Sequence, residues 1–178
     1  DLDVDWNVAE REISSDDRNR ATAYLLRSEG MIDGEVEEVL ALYLQQCSVT
    51  ATCNDLAMMA ATLANGGINP LTGERAYTER YLRDVLTVMY TCGMYTFAGE
   101  WAFEIGVPAK SGVSGGILAP IPGKLGLAVH SPGLDDHGNS IQGVQVCQEI
   151  SNRLGVHVFA SETEDAVLGP SSPATVTD

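Results

Sequence analysis

The sequence predicts an α+β domain, and three features carry that expectation. Up to about residue 106, apolar residues recur at helical spacing. After Gly106 two short apolar runs, "SGGILAPI" and "KLGLAVHS", flank the turn signal "PGK". A helical pattern then returns over "NSIQGVQVCQEISNRLG". Helices, then two antiparallel neighbouring strands, then a packing helix describe segregated layers instead of alternating βαβ units.

The helices have recognisable ends. "SDDRNRATAYLLRSE", residues 15–29, opens with Ser and Asp and stops before Gly30. After Asp33, the residues Val36, Val39, Leu40, Tyr43, Leu44 and Cys47 recur at three- and four-residue steps, which predicts one apolar helical face. "TCNDLAMMAATLANGG" starts at Thr52 with Asp55 three residues on, close to a capping box, and ends at Gly66-Gly67. Its alanines suit a tightly packed helix. "TERYLRDVLTVMYTCG" is expected to be capped by Thr78, to stop at Gly93 and to bury Leu82, Val85, Leu86 and Met89. In the last helix Ser140 is the cap, Ile141, Val144, Cys147, Ile150 and Leu154 face inward, and Gly155 is the stop. From Ala160 the chain is polar, with Pro and Ser and no apolar periodicity. The expected boundaries are therefore a domain over 1–159 and a linker or disordered tail over 160–178.

Composition narrows the function classes. Hydrophobic residues make up 44% of the 178 and charged ones 20%, a globular balance. The net charge of −15 opposes an electrostatic grip on nucleic acid or an anionic membrane. Lys110 and Lys124 are the only lysines. An acidic, lysine-poor surface suits concentrated salt, and equally an ordinary acidic cytosolic protein. No apolar run approaches the roughly 20 residues of a membrane helix, and no secretory pattern is present. Cys47, Cys53, Cys92 and Cys147 form no C-x-x-C pair and no metal-ligand spacing with His130, His137 or His157. Reduced, buried thiols in the cytoplasm are expected, and no metal or organic cofactor is indicated. The chain begins at Asp1 instead of a methionine, as expected of a piece of a longer reading frame or a processed chain.

The chemistry centres on "VPAKSGVSGG", residues 107–116. A phosphate-binding P-loop would place its lysine after the glycines and lead into a helix. Here the lysine comes first and a strand follows. Gly112-Val113-Ser114-Gly115-Gly116 spells the G-x-S-x-G of a nucleophile elbow, with Asp135 or Asp136 and then His137 or His157 downstream. An elbow also runs into a helix, and "ILAPIPG", with Pro120 and Pro122, cannot be one. Lys110-Ser111-Gly112 reads as the K-[ST]-G strand edge of serine penicilloyl-type enzymes, which presents backbone donors beside a cation. A glycine-rich strand start that lets backbones pack closely explains the same letters, and spacing alone leaves both open.

Wider motifs add to this reading. "CGMYTFAGEWAFEIGVPAKSGVSGGILAPIPGKLG", with "MMAATLANGGINPLTGER" upstream and "SPGLDDHGNSIQGVQVC" downstream, closely resembles the serine-dependent glutaminases. The likeness runs from about Glu10 to about Phe159. It implies a β-lactamase-like, DD-peptidase-like fold and hydrolysis of L-glutamine to L-glutamate and ammonia through a serine acyl-enzyme. In that family the nucleophile and base form a Ser-x-x-Lys element toward the N-terminus. Val107 and Ile121 stand three residues before the two lysines, so this chain lacks that pair. The resemblance therefore implies the C-terminal part of a glutaminase domain, inactive alone, whose first partner is the missing N-terminal part. A homo-oligomer is implied as well.

The same resemblance assigns the pocket. Asn19 in "DRN" matches the amide that holds the substrate α-carboxylate, and Glu10 in "AERE" the carboxylate that meets its α-ammonium. "ISSDDRN" is about two residues longer than the family spacing, which leaves Glu12 as the alternative to Glu10. Tyr43 matches a substrate-contacting tyrosine, and a core aromatic on its helix face is the other reading. Tyr95 matches the tyrosine beside the serine–lysine pair, where a phenol can relay a proton. Val113 matches the residue whose backbone N–H supplies half of the oxyanion hole. Competing functions are a β-lactamase or peptidase of the same fold and a non-catalytic, partner-binding fragment.

Overall fold

The computed structural model describes residues 2–160, so the tail expected after Ala160 lies outside the described residues. Among the described residues there are seven α-helices and one three-stranded antiparallel sheet. They form two compact units, the first ending at Thr52 and the second beginning at Cys53.

The first unit packs α1 (Trp6–Ser15), α2 (Asp17–Ser28) and α3 (Val36–Cys47). Asp5 caps α1 by accepting from the Asn7 and Val8 N–H groups at 3.0 and 3.1 Å. This helix was not predicted: its apolar positions are sparse, and only Ala9 on it is buried. Asp16 caps α2, and Arg20 on α2 reaches Glu37 on α3 at 3.0 Å. The expected apolar face of α3 narrows to Val36, Leu40 and Leu44, a single i, i+4, i+8 row. Val39, Tyr43 and Cys47 turn outward.

The second unit is built on the sheet. Its order is β1-β2-β3, with β1 Lys110–Ser111, β2 Gly116–Ile121 and β3 Leu125–His130. The hairpin turn at Pro122-Gly123-Lys124 is as the sequence predicts, with Ile121 opposite Leu125. Side chains alternate between the two sheet faces. Ile117, Ala119 and Ile121 join Leu125, Leu127 and Val129 in a core with Trp101, Ile105, Cys147 and Val156. That core brings in α6 (Ala98–Glu104) and α7 (Ile141–Leu154). The opposite face carries Gly126, where a Cβ would stand 2.0 Å from the Ala61 nitrogen of α4 (Cys53–Ala64). The alanines of α4 and the missing side chain of Gly126 thus let helix and sheet touch backbone to backbone.

Ser140 caps α7 by accepting from the Gly143 N–H at 3.1 Å, and Gly155 ends it at φ 58°. Three expectations need correction. Ile141, expected to face inward on α7, is 46% exposed, because the buried row of that helix is Gly143, Cys147 and Ser151 and Ile141 lies across the helix from it. In α5 (Glu79–Cys92) no residue is fully buried, because the Leu82, Val85, Leu86 and Met89 stripe is only half covered, and the Thr78 side chain makes no cap bond. Of the four thiols only Cys147 is buried. Cys47 and Cys92 end helices and Cys53 begins one, where neighbours cover one side only.

Candidate active site

In the second unit the turn after β1 is pinned at every corner. The Ser111 N–H donates to the Gly93 carbonyl at 3.1 Å, tying β1 to the end of α5. Gly112 N–H donates to Gly116 O, and Gly115 N–H to Gly112 O, each at 2.9 Å. Gly115 has φ +94°, and a Cβ there would lie 2.2 Å from the Ser131 carbonyl oxygen, so a larger residue is excluded. Val113 sits in the middle of this turn with its side chain 72% exposed. Among the described residues, no hydrogen bond occupies its N–H, as is usual for a central turn position. An oxyanion donor has to be in that condition.

Tyr95 approaches from another direction. It opens a 3₁₀ turn (Tyr95–Phe97) with φ 54°, a left-handed conformation that a tyrosine adopts only under constraint. The preceding Met94 is fully buried and acts as its anchor. The Lys110 ammonium lies 4.6 Å from the Tyr95 ring centroid and also donates to the Ser111 carbonyl. Gly138 completes the cluster, since a Cβ at that position would lie 3.7 Å from Val113 Cγ1 and 3.8 Å from Tyr95 Cε2. Its loop is held by Asp135, whose Oδ1 accepts from the His137 and Asn139 N–H groups, each at 2.9 Å. His137 Nδ1 lies 2.8 Å from Thr96 Oγ1, so the loop also grips the 3₁₀ turn.

Two of the residues assigned from the sequence, Tyr95 and Val113, are therefore brought together, along with the lysine of the K-S-G element. The nucleophile elbow is absent. Ser114 lies in a turn that runs into β2, and His130 Nε2 engages its carbonyl oxygen at 3.1 Å. The loop around Asp135 and Asn139 escaped sequence reasoning as a part of the site. Its one local signal was the turn-forming string "DDHGN".

The first unit holds the other assigned residues. Asn19 lies in the first turn of α2, where its N–H donates to Asp16 Oδ1 at 2.9 Å and its side-chain amide to Asp16 Oδ2. The amide carries a second N–H that this contact does not use. The hydrogen bond from the Asn19 backbone, helped by its side chain, holds the Asp16 carboxyl below the usual range. Glu10 and Glu12 are both exposed. On α1 they project to either side of the Ala9–Ile13 row, so a single ligand on one flank meets only one of them. Tyr43 is 49% exposed on α3.

With this geometry in place, comparison with known proteins gives the class. A family model described as Glutaminase matches residues 1–159. A glutaminase of Trichormus variabilis is 58% identical over 159 residues, which is 89% of this chain and 48% of that protein. A glutaminase of Clostridioides difficile is 48% identical over 158 residues, 89% of this chain and 51% of its own. A crystal structure of Mglu in its tris and glutamate form superposes with a TM-score of 0.85 at 45% identity, covering 91% of this chain and 36% of that one. The Bacillus subtilis glutaminase YbgJ, in covalent complex with 5-oxo-L-norleucine, superposes at 0.84 with 34% identity, covering 89% and 57%. The fold is thus that of the β-lactamase-like hydrolases. The chain belongs to the glutaminase family and spans about half the length of the curated relatives it matches.

Among the described residues, no helix is long and apolar enough to cross a membrane, and no group of three side chains is arranged to hold a metal ion.

Proposed function

We propose that residues 1–159 are the C-terminal part of a glutaminase catalytic domain, and that the whole protein hydrolyses L-glutamine to L-glutamate and ammonia. The observation that carries this reading is the meeting of Tyr95, Lys110 and the Val113 turn around Gly138, in a chain of this family. The serine and lysine of a Ser-x-x-Lys element lie outside this chain. The serine oxygen attacks the side-chain amide carbon of glutamine while the lysine takes its proton. The oxygen of the tetrahedral intermediate then accepts from the Val113 N–H and from the N–H of the nucleophile itself. Tyr95 passes a proton to the nitrogen and takes the one held by the lysine, so that as the C–N bond breaks ammonia leaves and an ester remains on the serine. Water attacks that ester, its proton returns through the same groups, and glutamate and free serine result. The covalent complex that YbgJ forms with 5-oxo-L-norleucine supports a nucleophile-dependent reaction as the reading for this chain.

The family resemblance assigns the substrate's charged end to three further residues. Asn19 donates its second amide N–H to the α-carboxylate, Glu10 receives the α-ammonium, and Tyr43 contacts the ligand. Glu10→Gln and Glu12→Gln separate the two candidate carboxylates. The true partner raises KM for L-glutamine about tenfold or more, and the other leaves it unchanged. A cytoplasmic homo-oligomer completes the proposal, which sedimentation of the full protein checks.

The deciding experiment measures ammonia release from L-glutamine by the full protein, by its Tyr95→Phe variant and by the 178-residue chain alone. Turnover by the full protein, a loss of about 10²-fold or more in the variant and none from the chain alone are expected. Release by the purified chain alone would place the nucleophile within it. Hydrolysis of a chromogenic β-lactam in place of glutamine would favour a lactamase or peptidase.

A further inference from the structure

We propose that Asn139 is the positioning residue of the Tyr95–Val113 site, acting through Ser111 and the Met94 carbonyl. This inference rests on the function proposed above. The site is assembled from three separate stretches, 94–97, 110–116 and 135–139, and one side chain of the third reaches the other two. Asn139 Oδ1 accepts from Ser111 Oγ at 2.5 Å, and Asn139 Nδ2 donates to the Met94 carbonyl at 3.5 Å. Its own backbone is clamped to Asp135 at both ends, N–H to Oδ1 at 2.9 Å and carbonyl to the Asp135 N–H at 2.8 Å.

Burial makes this node costly to lose. Asn139 and Met94 are 0% exposed and Ser111 is 2%. A polar group withdrawn from water that far is stable only when its hydrogen bonds are made. Here the amide oxygen is held by the short Ser111 bond and the amide nitrogen faces the Met94 carbonyl at the long end of the range, a directional contact that an apolar side chain lacks. Each partner stands next to a working group. Met94 precedes Tyr95, whose left-handed backbone needs an external restraint. Ser111 follows Lys110 and lies two residues before Val113. Gly138, where a Cβ would meet both the Tyr95 and Val113 side chains, precedes Asn139 itself. A shift of this amide therefore moves the phenol, the ammonium above it and the oxyanion donor together. Its hydrogen-bond partners, Ser111, Met94 and Asp135, include none of the residues assigned to the substrate's charged end.

The test uses the full protein with Asn139→Leu, Ser111→Ala and their combination, and follows kcat and KM for L-glutamine together with thermal unfolding. Misplacement of reacting groups without loss of ligand contacts predicts that each single variant loses about 10- to 100-fold in kcat, with KM within about threefold. The double variant is expected to be no worse than Asn139→Leu alone, because that variant already removes the Ser111 link. Folded variants that keep kcat within about twofold, or losses that multiply in the double variant, would overturn the proposal. If Asn139→Leu does not fold, Ser111→Ala, which removes one hydroxyl, decides by the same criterion. Tyr95→Phe run alongside separates the two ideas. Its loss of turnover with Asn139 variants unaffected sinks the positioning role alone, whereas its full activity sinks the proposed function and this role with it.

Discussion

The Lys110 ammonium stands 4.6 Å from the centroid of the Tyr95 ring, joining a strand edge to a 3₁₀ turn fifteen residues upstream in the chain. The contact sits at an exposed surface, where such a pairing contributes about 0.5–1 kcal/mol. A double-mutant cycle of Lys110→Met with Tyr95→Leu, read by urea unfolding, should return a coupling of that size. A coupling of zero would mean that the two side chains do not act on one another.

Tyr95 also holds a backbone conformation that glycine adopts freely and other residues do not. Tyr95→Gly is therefore expected to be more stable than Tyr95→Ala by about 1 kcal/mol, although both lose the phenol that the proposed function requires. The reverse order in chemical denaturation would show that position 95 is not held left-handed.

Val113 is assigned a backbone role, and its side chain is mostly in solvent. Val113→Ala in the full protein should keep kcat within about threefold and leave stability unchanged within about 0.5 kcal/mol. Losing an oxyanion donor, by contrast, costs about 10²–10³ in rate. A Val113→Ala variant as inactive as Tyr95→Phe contradicts the assignment.

Asp16 caps α2 and its carboxyl is held below the ordinary range, chiefly by the Asn19 N–H. A depressed acid binds fewer protons in the folded than in the unfolded state. Its contribution is therefore complete above about pH 3.9 and disappears as pH falls through the lower folded value. Asp16→Ala should cost about 1 kcal/mol at neutral pH and flatten the acid limb of the stability profile. It should also raise KM for glutamine by releasing the Asn19 amide. An unchanged acid limb would remove Asp16 from the cap.

The thiols divide by burial. Cys47, Cys53 and Cys92 should react with a thiol reagent in the native chain, and Cys147 only after denaturation. Burial pushes the Cys147 thiol up to about 12. The unfolded thiol loses its proton near pH 8.5 while the folded one keeps it, so this stabilisation is complete below that pH and is lost as pH rises toward 12. Cys147→Ala should weaken the alkaline fall in stability, and a native Cys147 that labels as fast as the others would contradict its burial.

Elements governed by neighbours in sequence were legible without coordinates. Ser140 and Gly155 bracket α7 because a hydroxyl cap and a left-handed stop act within one helical turn. The β2–β3 hairpin follows from two apolar runs and a three-residue turn. Even so, the buried stripe of α5 proved half covered, and α1 and α6 went unpredicted, because burial depends on what lies opposite a helix. The assignment of Tyr95 and Val113 came from family resemblance, and periodicity alone offered no sign of it.

By itself the sequence determined the α+β order of elements, the lack of a Ser-x-x-Lys pair in this stretch and the acidic character of the chain. Only the tertiary structure decided that Lys110 covers Tyr95, that Gly138 lies beside both Tyr95 and Val113, and that Asn139 reaches Ser111 across 28 positions of chain. Local pattern reports the dihedrals and the faces a segment prefers, and those preferences act over a few residues. Which faces meet is set by burial of the whole core, and that meeting places the chemistry.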